Sequence, residues 1–247
     1  MGFSTDMIRI RPTFVTLACL LGVLVFFAPV QVNAQKEVPK NRPYADMKPH
    51  HLGFFIGSDV QDLRISNAGF VDPSGRHLFA DLSGYSPGFV VGVIGNMNLL
   101  QDLDLRFVPA LHFGERAFAY SDGKKEIKRF SQRASYLTAP LMLKYSSQRL
   151  NNMRPYILAG GYAALEIGQK KGSILEMKPF DFGVRLGIGC DFYLPFFKLC
   201  PELSFSWGFA NVIQSNRSDL AESPDLVYTQ TISKALTRMV MLTFNFE

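Results

Sequence analysis

The stretch FDFGVRLGIGCDFYLPFFKLCPELSFSWGF, residues 180–209, decides the fold. Phe180, Phe182, Val184, Leu186, Ile188, Cys190 and Phe192 alternate with Asp181, Gly183, Arg185, Gly187, Gly189 and Asp191. Past Pro195-Phe196 the alternation resumes, with Leu199, Pro201, Leu203, Phe205, Trp207 and Phe209 set against Lys198, Cys200, Glu202, Ser204, Ser206 and Gly208. Successive strand side chains point to opposite faces, so this is a hairpin with one apolar, aromatic face and one face of charge, hydroxyl and glycine. A soluble sandwich also alternates, but its outer face is rarely so rich in glycine. A membrane barrel reads this way, apolar towards lipid and polar towards the lumen.

The first residues set the compartment. Arg9 and Arg11 precede an apolar run from Phe14 to Val30, and Val32-Asn33-Ala34 forms a small-residue cleavage site, so residues 1–34 read as a secretory signal peptide. Beyond Ala34 no stretch approaches the 18 or so apolar residues that a spanning helix needs. Strands that span lipid must close into a barrel, because no water is there to satisfy an open edge. The expected localisation is the cell outer membrane, with both termini periplasmic and lipid as an obligatory partner.

Residues 35–50, with Pro39, Pro43 and Pro49, read as an extended periplasmic leader, and residues 51–247 as the barrel. Strands are expected over residues 51–65, 87–99, 103–118, 133–145, 154–167, 180–192, 199–209 and 235–246. A phase slip near Ser58 to Gln61 suggests a bulge in the first. The fold class is therefore all-β: an eight-stranded antiparallel up-and-down transmembrane β-barrel. Connections one, three, five and seven are long while two, four and six are short, the asymmetry of outer-membrane barrels. In the last strand Val240, Leu242, Phe244 and Phe246 share one face and form a candidate assembly signal for the barrel assembly machinery, although Glu247 follows the final aromatic.

Eight strands leave an interior that side chains fill. The inward set is expected to include Asp102, Asp104, Arg106, His112, Lys144, Asp181, Arg185, Asp191, Lys198 and Glu202, with both signs on neighbouring strands, as a paired ionic network plugging the lumen. The alternation also separates the cysteines, placing Cys190 outward and Cys200 inward, so free thiols are expected. The formal charge is +5 and falls by one without Asp6, Arg9 and Arg11. That is too little and too scattered for a nucleic-acid partner. His50, His51, His77 and His112 form no cluster with metal-ligand spacing, and no cofactor motif is present. Ser74 and His77 are the one Ser-His pairing to weigh, and turn chemistry around Asp72-Pro73-Ser74-Gly75 explains that serine more simply.

Several segments carry a family resemblance: HLGFFIGSDVQDLRI at 51–65, PGFVVGVIGNMNLLQDLDLRFVPALHF at 87–113, LTAPLMLK at 137–144, RPYILAGG at 154–161, residues 180–191 and the closing MVMLTFNFE. In order and spacing they resemble the PorT family of Bacteroidetes outer-membrane barrels. The resemblance implies a non-enzymatic accessory or assembly role in the type IX secretion system, with other secretion components as partners and a different protein as the translocation pore. Two alternatives stay open: a general small barrel for adhesion or envelope defence, and a lipid-modifying outer-membrane enzyme.

Overall fold

The structure is a computed structural model and describes residues 39–69, 77–121, 126–168, 175–214 and 231–247. Residues 1–34, with the expected signal, lie outside these. Among the described residues ten strands form one antiparallel sheet that closes on itself: β1 (His50–Asn67), β2 (Phe79–Tyr85), β3 (Pro87–Leu100), β4 (Leu103–Phe107), β5 (Ala110–Ser121), β6 (Glu126–Ser146), β7 (Met153–Glu166), β8 (Phe180–Tyr193), β9 (Lys198–Gly208) and β10 (Ile232–Phe246). β2 with β3, and β4 with β5, each make one interrupted strand, so the ring has eight positions. It closes where β1 pairs with β10, Phe54 opposite Phe246 through to Ser66 opposite Lys234. Among the described residues no helix is long and apolar enough to cross a membrane.

Alternation is the physical basis of the wall. On β8 the apolar residues Phe180, Phe182, Val184, Leu186 and Ile188 are 38–58% exposed, while Asp181, Arg185 and Asp191 are buried. Burying charge and exposing phenylalanine is stable only where the outer medium is apolar and the inner one polar. The interior is too narrow for added atoms: a Cβ on Gly92 would meet the Phe55 ring at 2.5 Å.

The expected bulge near Ser58 to Gln61 is absent. β1 keeps register with β3 from His50 to Val60 and with β10 from Phe54 to Ser66, and its only shift falls at Ser66/Asn67. What changes along β1 is the chemistry of its two faces. Asp59, Gln61 and Leu63 all point inward and are buried, while Ser58, Asp62 and Arg64 point outward. The outer face turns polar because the strand has left the lipid, and the inner face turns apolar because a second core begins there. That core unites Leu63, Ala80, Phe118, Tyr120, Leu175, Met177, Val212, Ile213, Ile232 and Ala235.

The third connection is also not the long loop expected. β5 and β6 stay paired from Ala110/Thr138 to Ser121/Glu126, so most of it is ladder. At the opposite end the turns are short, as at Gln101-Asp102 and Leu194 to Phe197, where Leu194 N–H donates to Phe197 O at 3.0 Å. Cys190 faces out and Cys200 is buried within, both free, on opposite sides of the wall.

Candidate functional site

Inward residues of the barrel form a ladder of charge across the lumen. At the turn end the side chain of Glu247 bends inside and is wholly buried. Its Oε1 accepts from Arg106 Nη2 at 2.6 Å, and its Oε2 lies 2.9 Å from Lys198 Nζ and 2.8 Å from His51 Nε2. Lys144 Nζ donates to both carboxylate oxygens of Asp191, at 2.9 and 2.7 Å. Glu202 Oε2 accepts from Tyr156 and Asn245, each at 3.1 Å, and sits 3.6 Å from Arg106 Nη1. The Tyr156 ring also carries the Lys144 ammonium at 4.0 Å. Removing ions from water costs several kcal/mol each, so such a set is tolerated only when every member is paired and hydrogen-bonded.

Further along, His112 Nδ1 meets Asp59 Oδ2 at 2.9 Å and His112 Nε2 meets Thr138 Oγ1 at 3.1 Å. Hydroxyl, imidazole and carboxylate in line resemble the parts of a nucleophilic triad. All three side chains are at most 1% exposed, so a carbonyl has no approach to Thr138, and the trio braces β5 across to β1 and β6. Arg185 Nε donates to Ser206 Oγ at 2.9 Å, and Arg116 lies over the Tyr136 ring at 5.0 Å. Asp181 accepts from the Thr237 hydroxyl.

Eight of the ten expected inward residues are therefore buried on the inner face: Arg106, His112, Lys144, Asp181, Arg185, Asp191, Lys198 and Glu202. Asp104 lines the mouth at the turn end, where its Oδ1 accepts from Asn98 at 3.1 Å. Asp102 stands in the turn before β4, its side chain 41% exposed, and pairs with Arg154 at 2.8 Å. Val240, Leu242 and Phe244 line the outer face of β10, and Phe246 stacks on Phe54 with ring centroids 5.1 Å apart. Sequence reasoning missed Asp59, Arg116, Glu166 and above all Glu247. Ser74 lies outside the described residues, so the Ser74-His77 pairing has no geometry to report; His77 itself is exposed.

The leader is not extended throughout. Ala45–Met47 form a 3-10 turn, and residues 39–48 lie across the turn end of the barrel. Asp46 Oδ1 accepts from the Tyr193 hydroxyl at 2.6 Å and lies 3.6 Å from Arg154 Nη1. Arg149, stacked over the Tyr193 ring at 3.6 Å, donates to the backbone carbonyls of Asn41 and Arg42. Arg42 in turn donates to Glu247 O at 3.0 Å. This strap and the ionic network close one end, and the apolar core around Phe118 fills the other.

Residues 33–214 match the family described as outer membrane protein beta-barrel domain. The chain belongs to that family. An outer membrane protein beta-barrel domain whose wall is this apolar sits in the outer membrane with lipid against Phe180, Leu186 and Leu203. Among solved structures, this domain is similar to the outer membrane protein OprG of Pseudomonas aeruginosa, at 13% identity over 80% of this chain and 93% of that one, with a TM-score of 0.44. It is similar to Neisserial surface protein A at 12% identity over 78% and 95%, TM-score 0.40. The attachment invasion locus protein Ail of Yersinia pestis aligns at 13% identity over 79% and 96%, TM-score 0.36. No curated protein sequence matches the chain.

Proposed function

We propose that this barrel is a PorT-family accessory or assembly component of the type IX secretion system and not its translocation pore. The observation that carries the reading is the occupied lumen. Arg106, Lys144, Asp191, Lys198, Glu202 and Glu247 knit the turn end together, the strap covers it, and the core around Phe118 and Tyr120 fills the other end. A barrel filled in this way passes no folded cargo, so its work falls to its rims, strap and lipid-facing wall. The PorT-like segments at 51–65, 87–113, 137–144 and 154–161 support the secretion role, and the buried Thr138 supports a non-enzymatic one. The short turns and the strap face the periplasm, and the longer connections face outward, following the loop asymmetry of such barrels.

Deleting the gene in its native host tests this directly. Cargo bearing the dedicated C-terminal secretion signal accumulates in the periplasm and is lost from the cell surface, and the full chain restores it. Normal surface display in the deletion strain overturns the reading; serum or adhesion phenotypes in its place identify a loop-borne envelope role, and altered lipid A identifies a lipid-modifying one.

A further inference from the structure

The β9-β10-β1 wall carries, beyond the apolar band, a group of outward cations that the lumen network does not use. On the closing ladder Val60 faces Val240, Asp62 faces Arg238, Arg64 faces Leu236 and Ser66 faces Lys234. Period two puts these side chains on the outer surface, where Arg64, Lys234 and Arg238 are all exposed. Arg64 is the diagonal neighbour of both other cations, and such neighbours lie roughly 7–8 Å apart. The nearby carboxylate, Asp62, accepts from the Leu63 N–H at 2.8 Å. No ion pair joins it to the three cations among the described residues.

Directly below, Arg238 is in register with Trp207, and Val240 with Phe205. Between them opens a surface cavity of about 310 Å³ lined by Val60, Asp62, Phe205, Trp207, Arg238 and Val240. Its floor is apolar and aromatic and continues into the lipid band, and its lip carries Arg238 opposite Asp62, with Arg64 and Lys234 further along the same outer ladder. Solvated surface cations are commonplace, but here they stand at the level where apolar side chains stop. A water-soluble anion has no use for the floor, and an uncharged lipid has none for the lip. Both halves suit an amphiphile with a phosphorylated head.

We propose that this seam binds the phosphate of an outer-leaflet glycolipid, with Arg64, Lys234 and Arg238 around the phosphate and Trp207 and Phe205 against the sugar or upper acyl segment. The inference rests on the outward orientation of the loop end given above, and not on the secretion role. Basic side chains at a lipid surface gain from an anionic head and little from a neutral one.

The test uses the purified full barrel in symmetric vesicles, so that neither orientation nor secretion enters the measurement. Thermal unfolding is compared in phosphatidylcholine alone, with added diphosphoryl lipid A, with dephosphorylated lipid A, and with phosphatidylglycerol. Diphosphoryl lipid A raises the midpoint by about 2–4 °C, the dephosphorylated form and phosphatidylglycerol raise it less, and the combined R64Q, K234Q and R238Q variant loses the rise. An equal rise with phosphatidylglycerol, no rise, or a rise retained in the variant overturns the proposal. Should the variant not fold, native mass spectrometry of the unaltered barrel decides by whether diphosphoryl lipid A is retained over its dephosphorylated form. Protease accessibility of the loops on whole cells checks the orientation separately.

Discussion

Glu247 Oε1 and Arg106 Nη2 stand 2.6 Å apart inside the barrel, joining the last residue of the chain to β4 across the lumen from 141 positions away. The carboxylate also meets Lys198 and His51, so it gathers β1, β4 and β9 at one point. Glu247→Gln leaves Arg106 and Lys198 facing each other without the charge between them. Breaking a buried pair by removing one partner costs about 3–5 kcal/mol. The chain has a single tryptophan, Trp207 on the outer wall, whose fluorescence reports urea unfolding in vesicles. Glu247→Gln lowers that stability, and the double variant Arg106→Met with Glu247→Met recovers part of the loss.

Lys144 and Asp191 pair at 2.7 Å within the network, and a double-mutant cycle measures the pair. Lys144→Met and Asp191→Leu each destabilise by about 3–5 kcal/mol, and the two together cost less than the sum of the separate losses. Strict additivity in urea unfolding would show that the pair contributes nothing.

Lipid exposure of the outer wall is tested by charge placement. Leu203 lies between Ile188 and Leu242 in the middle of the apolar band. Leu203→Arg costs about 2–4 kcal/mol there, whereas arginine at Phe196, on a turn tip and 91% exposed, costs about 0–1 kcal/mol. The difference vanishes if Leu203 faces water.

The strap hangs on Asp46. Its charged hydrogen bond with Tyr193 contributes about 1.5–3 kcal/mol to holding residues 39–48 down. Tyr193→Phe and Asp46→Ala are therefore expected to speed chymotryptic cleavage after Tyr44, which is followed by Ala45, while the barrel keeps its own unfolding midpoint. Equal cleavage rates in variant and parent would place the hold elsewhere.

Cys190 and Cys200 stay reduced because the sheet itself lies between them. The barrel migrates identically with and without reductant, and Cys200→Ser leaves no mixed-disulfide dimer through Cys190. A shift of the monomer band on oxidation that Cys200→Ser abolishes would contradict the register of β8 and β9.

Much of the wall was legible from residues 180–209 because lipid on one side and water-like groups on the other impose period two directly on the sequence. Eight of the ten inward charges followed from the same alternation. Asp59 escaped because the supposed slip near Ser58 to Gln61 obscured its phase, whereas Arg116 keeps the same inward phase as His112 on β5 and was simply passed over. Glu247 escaped for another reason: nothing local marks a residue after the final aromatic as one that turns inward, and its partners come from distant strands. The strap is similar, since Pro39, Pro43 and Pro49 mark an irregular segment and say nothing about Arg149 or Tyr193 waiting for it.

Leu175, Met177, Val212 and Ile213 belong to connections, yet they are packed as tightly as any strand residue against Phe118 and Tyr120. The roots of two loops are thus held in place before anything touches them. A protein landing on that end meets a prearranged platform, and the ordering entropy that a floppy epitope would charge against affinity has already been met by folding.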